Sequence, residues 1–189
     1  MDLSGKIALV TGASRGIGEA LAIGLAEHGT DVIICDLESE SRGLANTQKQ
    51  IEKTGKKCWS YFLDVTKKSQ IQKMVSDILS DIGSIDILVN NAGILTPTSL
   101  EEIDEKTWDN HFEVNTKGVL LMCQSVLPHM REKKSGRIIN IASIAGRQGS
   151  PTQGHYASTK SAVITLTRVL AQEVGEAGIT VNAICPGII

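Results

Sequence analysis

Charge of one sign is in short supply in this chain: 19 Lys and Arg face 21 Asp and Glu, for a net charge of −2 over 189 residues. That balance excludes a basic nucleic-acid-binding surface and an acidic tail. No apolar run approaches the roughly 20 residues that span a bilayer. The Met1-Asp2 start also lacks the charged and greasy regions of a secretory signal. No nucleic-acid or membrane partner is therefore expected, and a cytoplasmic setting is. Cysteine is sparse and unpatterned: Cys35, Cys58, Cys123 and Cys185 show no CxxC or metal-ligand spacing and read as reduced core thiols. His28, His111, His129 and His155 are equally dispersed, so no metal site is expected. Aromatic residues make up only 3%. The remainder is ordinary globular composition, enough for one domain over 1–189.

Glycine supplies the organisation. Gly29, Gly55, Gly83, Gly136 and Gly178 each follow a helix-like segment and precede a short β-branched run, where a left-handed residue would end the helix. The runs are Val32–Cys35, Cys58–Phe62, Ile85–Val89, Arg137–Ile141 and Ile179–Ile184, preceded by Ile7–Val10. Short, mostly apolar and separated by helices, they predict parallel strands buried on both faces. Helices are expected near 16–28, 40–54, 67–82, 102–133 and 154–176. Ser99 and Glu102 have capping-box spacing at the head of the fourth region, and Pro128 should disturb that helix near its end. Six strands and five helices imply right-handed crossovers and a Rossmann-like, doubly wound parallel sheet between two helical layers, of α/β class.

Ligands in such a sheet bind beyond the carboxyl ends of the strands, so the residues there matter most. The first strand ends in Thr11-Gly12-Ala13-Ser14-Arg15-Gly16-Ile17-Gly18, the second in Asp36 and the third in Asp64-Val65. Asn90-Asn91-Ala92-Gly93 closes the fourth, Ala142-Ser143 the fifth and Pro186-Gly187 the sixth. Gly12 permits a tight turn, Gly16 a close approach to a pyrophosphate, and Gly18 close packing of helix on strand. The phosphates would lie at that helix's N-terminus. An Asp36 carboxylate would accept from an adenosine ribose and repel a 2′-phosphate, whereas Arg15 could attract one. Like charges about 4 Å apart repel by roughly 4 kcal/mol at an effective dielectric near 20. An exposed arginine contact returns about 1 kcal/mol. The expected cofactor is NAD, with NADP as the alternative.

Tyr156 and Lys160 stand one turn apart at the head of the apolar-periodic segment Ala162, Val163, Leu166, Val169, Leu170 and Val174. A lysine ammonium near a phenol favours the phenolate and can turn tyrosine into an acid–base group at neutral pH.

Together, Thr11-Gly12-Ala-Ser-Arg-Gly16-Ile-Gly18, Asp64, Asn90-Asn91-Ala92-Gly93, Asn115, Ser143, Tyr156-x-x-x-Lys160 and Pro186-Gly187 resemble the short-chain dehydrogenase/reductase family across the whole chain. The resemblance implies reversible hydride transfer between a nicotinamide cofactor and a secondary alcohol or ketone. It makes Tyr156 the proton carrier and has Lys160 hold the nicotinamide ribose. Ser143 would bind the substrate oxygen, and Asn115 a water in a proton relay. It places Asp64 and Val65 at the adenine, Asn91, Ala92 and Gly93 along the ribose and phosphates, and Pro186 and Gly187 beside the nicotinamide. Family members usually continue through a substrate loop and a seventh strand, so a longer protein is expected. Gly146–Ser150 and His155 fall where the family contacts substrate. Small polyols, sugar alcohols or hydroxy acids are the expected substrates, 3-oxoacyl thioesters the runner-up, and an idle nucleotide-binding scaffold the alternative of another class. The helical segments 102–133 and 154–176 imply a homodimer or homotetramer.

Overall fold

Branched apolar residues on both faces of each strand need cover on both sides, and the observed architecture supplies it. In the computed structural model, which describes residues 2–187, six parallel strands form one sheet. They are β1 Ile7–Thr11, β2 Asp31–Asp36, β3 Cys58–Phe62, β4 Ile87–Asn90, β5 Gly136–Ile141 and β6 Ile179–Ile184, in the order β3-β2-β1-β4-β5-β6. Leu9 stands in register with Ile33 and Leu88, and Leu88 with Ile138. This row joins a core completed by Ile71, Met74 and Ile78 of α3 (Lys68–Asp81), Met122 and Val126 of α5 (Gly118–Glu132), and Val163 and Leu170 of α7 (Gly154–Val174). The alternating set Ala8, Val10, Val32, Ile34 and Val89 faces the other way. It meets Ala22 and Ala26 of α1 (Gly16–Glu27) and Leu44 and Ile51 of α2 (Ser41–Lys53). Each fully buried Leu or Ile contributes on the order of 1.5–3 kcal/mol, so shifting one strand by a residue would invert both cores.

The departures from expectation lie mostly in the fourth helical region. The single helix expected over 102–133 is instead a 3-10 turn at Leu100–Glu102, α4 (Glu105–Phe112), a π-turn at Glu113–Lys117 and α5. Ser99 does not cap it. Its hydroxyl donates to the Glu102 carboxylate, while the Asp104 carboxylate takes the Thr107 N–H at 2.6 Å and caps α4. Pro128 falls inside α5, near its end as expected; the helix runs on to Glu132, with a bond from Lys133 N–H to the His129 carbonyl. Gly29, Gly55, Gly83 and Gly178 do adopt positive φ, but Gly136 does not. At that helix end Lys134 takes the left-handed position, at φ +50°, and Gly136 begins β5. A Cβ on Gly136 would stand 2.5 Å from the Met130 sulfur, so its role is packing. β4 starts two residues late, at Ile87, and a four-residue helix α6 (Ala145–Gln148) follows β5. The expected seventh strand lies outside the described residues. No described helix is long and apolar enough to cross a membrane.

Candidate active site

The strand order reverses between β1 and β4, and the loops leaving these two strands part there to form a crevice. Thr11, at the end of β1, joins the two sides. Its Oγ1 accepts the Asn91 and Ala92 N–H groups, each at 3.0 Å. Asn91 Nδ2 donates in return to the Thr11 and Gly12 carbonyls. The amide expected to reach a ribose is thus already committed to bracing the glycine turn. Gly12 has φ +66°, and a Cβ there would lie 2.8 Å from Ala92 Cα. Gly18 has no special φ but would drive a Cβ into the Gly12 carbonyl and the Asn91 amide. Beyond the turn, no side chain caps the first N–H groups of α1, whose Gly16 and Ile17 line the crevice, as an anion site requires. Replacing Gly18 with Ala should therefore lower stability by about 1–3 kcal/mol and weaken dinucleotide binding more than tenfold. Thermal melting and a cofactor titration would check both.

The outer part of the crevice, a cleft of about 440 Å³, is lined by Gly12, Ser14, Arg15, Gly16, Ile17, Asp36, Leu37, Glu40, Asp64, Val65 and Asn91–Gly93, among others. Every residue predicted for the adenosine half except Gly18 is on this wall, and Gly18 sits directly beneath it. Asp36 Oδ2 accepts the Ser14 N–H at 3.0 Å and Oδ1 the Leu37 N–H at 2.9 Å, which pins the carboxylate at the rim. Arg15 is turned aside: its Nη1 lies 3.2 Å from Glu40 Oε2, an exposed pair at the mouth of the cleft. Asp64 Oδ1 accepts both the N–H and the hydroxyl of Thr66, which shapes the turn after β3.

A second cleft of about 300 Å³ adjoins the first and is lined by Ser143, Tyr156, Lys160, Ile94, Leu95, Pro186 and Gly187, with Ile17, Asn91 and Gly93 shared or nearby. Tyr156 and Lys160 project into it from one face of α7, with Lys160 Nζ 5.6 Å from the centre of the Tyr156 ring. Lys160 is 4% exposed, and its Nζ donates to the Ile141 carbonyl at 2.8 Å. Burial pulls this ammonium down to about 8. Ser143 Oγ accepts the Ala145 N–H at 3.1 Å, leaving its own proton free to donate. Asn115 sits in the π-turn, fully buried. Its Oδ1 accepts the Ile94 N–H at 2.8 Å, and its Nδ2 donates to the Ile94 carbonyl and Thr159 Oγ1. The relay residue of the sequence reading therefore also straps the wall of the second cleft. Gly93 lies against both groups: a Cβ there would stand 3.2 Å from Asn115 Oδ1 and 3.4 Å from Lys160 Nζ.

Two candidates fall outside this arrangement. His155 is fully buried, with its ring 4.0 Å from that of His111, and does not line the cleft. None of Gly146–Ser150 lines it either; a Cβ on Gly146 would meet the Lys160 backbone, so α6 packs on α7. The sequence missed Glu40, Ile94 and His111, and the bracing role of Thr11. Thr11 opens a motif already recognised and Ile94 follows one, whereas the Arg15–Glu40 pair depends on how the turn before α2 approaches the glycine loop. Among the described residues no group of three His, Cys, Asp or Glu side chains could hold a metal ion. Burial pushes the Cys58 and Cys123 thiols up to about 12, so neither is a nucleophile at neutral pH.

A dinucleotide cleft that opens onto a Ser–Tyr–Lys set defines an oxidoreductase. The chain belongs to the short-chain dehydrogenases, whose family model matches residues 6–189, and acts on alcohol or keto groups with NAD or NADP. It is 42% identical over 184 residues to the 3-oxoacyl-[acyl-carrier-protein] reductase FabG of Staphylococcus epidermidis, covering 97% of this chain and 75% of that one. It is 40% identical over 189 residues to the enzyme of the same name from Thermotoga maritima, covering all of this chain and 76% of its relative. A short-chain alcohol dehydrogenase structure from Sinorhizobium meliloti superposes with a TM-score of 0.95 at 38% identity, over 100% of this chain and 74% of that one. The structure of an NAD+-bound xylitol dehydrogenase does so with the same score at 33% identity, over 99% and 72%.

Proposed function

We propose that this protein interconverts 3-oxoacyl and 3-hydroxyacyl thioesters, using NAD(H). The observation that carries the substrate class is the wall of the second cleft. Beside Ser143 and Tyr156 it offers Ile94, Leu95, Ile141, Ala142 and Pro186, while the Asn91 amide and the Lys160 ammonium are engaged with backbone carbonyls. An acyl chain suits such a wall, whereas a polyol would leave its hydroxyls unpaired at a cost of about 1–3 kcal/mol each. Gly146–Ser150 and His155, the segment whose likeness suggested a polyol, do not line this cleft. The relatives named as 3-oxoacyl reductases support the same choice.

The cleft residues fit a dinucleotide: a glycine turn that cannot take a Cβ, uncapped helix N–H groups and a pinned ribose-side carboxylate. When bound, the nicotinamide supplies the hydride. Ser143 donates to the substrate oxygen and fixes its place. Tyr156 exchanges a proton with that oxygen. Lys160 supplies positive charge beside the phenol and a donor for ribose hydroxyls. Asn115 holds the wall, and both its Nδ2 protons are spent, so a relay water would have to rest on an oxygen. Asp36 and the Arg15–Glu40 pair favour NAD, because a 2′-phosphate would meet a fixed carboxylate and an arginine already neutralised. Leu120 of α5 and Val169 of α7, both partly exposed, belong to the faces that would pair across a two-fold axis in a dimer.

The test is a nicotinamide absorbance assay with NADH and NADPH against acetoacetyl thioesters, run beside NAD and NADP with polyols and hydroxy acids. Turnover confined to the thioesters supports the reading, and turnover confined to polyols overturns it. Asp36→Ala should raise the NADP-to-NAD ratio of kcat/KM at least tenfold. An unchanged ratio would remove Asp36 as the selector.

A further inference from the structure

Ile94 and Leu95 form the apolar wall of the second cleft, yet residues 91–99 belong to no helix or strand. The wall is held by side chains. Asn115 takes the Ile94 N–H and carbonyl, and the Thr98 N–H reaches the Thr152 carbonyl at 2.7 Å. One helical turn before Asn115, on the same face, His111 takes the Thr96 N–H on Nε2 at 3.3 Å. Its Nδ1 lies 2.7 Å from the Thr107 carbonyl, which can only accept. Nδ1 therefore carries the proton and Nε2 the lone pair, which is the neutral ring. Edge-on to this ring, at 77°, stands His155, the residue before Tyr156, fully buried and with neither nitrogen hydrogen-bonded.

We propose that His111, backed by His155, is a positioning residue for the reaction: its neutral imidazole straps Ile94–Thr98 into the cleft wall, and protonating the pair releases that wall. A protonated His111 would turn an N–H toward the Thr96 N–H and lose the strap. A protonated His155 would set a buried charge against its neighbour, with only the Thr96 backbone in its favour. The groups facing the pair are the Thr107 carbonyl of α4 and the Thr96 backbone of the loop, which lies against both rings and at His155 favours the charged form. Among the described residues no carboxylate is hydrogen-bonded to either ring, and His111 is the titratable group among them that acts on His155. Burial first, and His111 second, hold His155 below the usual imidazole range. His155 is thus held toward its neutral form.

The experiment follows the NADH-bound protein by NMR from pH 8 to 5. It tracks the imidazole carbons of both histidines and the amides of Leu95 and Thr96, with the KM for an acetoacetyl thioester measured in parallel. In the wild type the loop amides should titrate with the imidazoles while KM rises about tenfold and kcat changes less than threefold. His111→Gln keeps an acceptor for the Thr96 N–H and cannot titrate. It should hold KM near the neutral wild-type value and flatten the acid limb. His111→Leu should show a raised KM at every pH. Loop amides that titrate in His111→Gln as they do in the wild type would overturn the proposal, as would matching KM values for the Gln and Leu variants. Should the Leu variant not fold, the comparison of Gln with wild type decides alone. The KM arm rests on the proposed thioester substrate and the NMR arm does not, so the two failures are told apart.

Discussion

Replacing Tyr156 with Phe should lower turnover about a thousandfold while leaving NAD(H) affinity within about twofold. General acid–base groups contribute about 10²–10⁴ in rate, and a thousandfold corresponds to about 4 kcal/mol of barrier. The substitution isolates the phenol oxygen. Phe keeps the ring beneath the Lys160 ammonium, now at 5.6 Å from its centre, so packing and the cation–π contact survive. Nothing else along the cleft can take over. Ser143 can donate to the substrate oxygen, but its hydroxyl is far too weak an acid to shuttle a proton at neutral pH. The Lys160 ammonium is held on the Ile141 carbonyl. His155, on the buried side of α7, does not line the cleft. Single-turnover absorbance measurements with saturating cofactor would separate chemistry from binding. Residual turnover above about a tenth of wild type would reassign the proton carrier, and a large loss of cofactor affinity would make Tyr156 a binding residue instead.

What could be read from the chain depended on whether a local pattern or a distant contact decides the outcome. The strands were legible because double burial leaves an almost unbroken apolar run, as at Val32–Cys35, and the motifs at their ends mapped directly onto the crevice. The fourth helical region was not. Its apolar periodicity passes through the π-turn at Glu113–Lys117, and the choice of Asp104 over Ser99 as cap rests on which side chain Glu102 captures. Gly136 shows the same limit. The expected left-handed glycine lay two residues past the true position, because Met130 needed the bare backbone at Gly136 and Lys134 could bear the strained φ. His111 and His155 carry no local signal at all. They meet only because α4 and α7 cross beneath the loop that both support. Asn115 lies between these cases: a polar residue in a helix kink reads as structural, and its strap on Ile94 is structural. The same placement beside Gly93 and Lys160 puts it at the cleft.

Replacing Lys160 with Met should abolish useful turnover and yet raise the melting temperature of the cofactor-free protein at pH 7. Burial lowers this ammonium from 10.5 to about 8, and a pKa unit is about 1.4 kcal/mol, so holding the charge inside costs on the order of 3 kcal/mol. The sign follows from linkage. Below pH 8 the lysine is charged in both folded and unfolded chains, and the folded state bears the whole cost. Between about pH 8 and 10.5 the folded protein sheds a proton that the unfolded chain retains, so the cost fades and wild-type stability rises. Met removes the charge but strands the Ile141 carbonyl, which returns about 1 kcal/mol of the gain. A net gain of about 2 kcal/mol corresponds to roughly 4–8 °C at this chain length. The gap between variant and wild type should then narrow above pH 8 and reverse near pH 10, where only the lost hydrogen bond remains. Melting curves across that range decide the matter. A variant less stable than wild type at pH 7, or a gap that does not change with pH, would show that Lys160 is not held in the cleft against a solvation cost. A residue kept at that cost is one whose charge the site requires next to Tyr156.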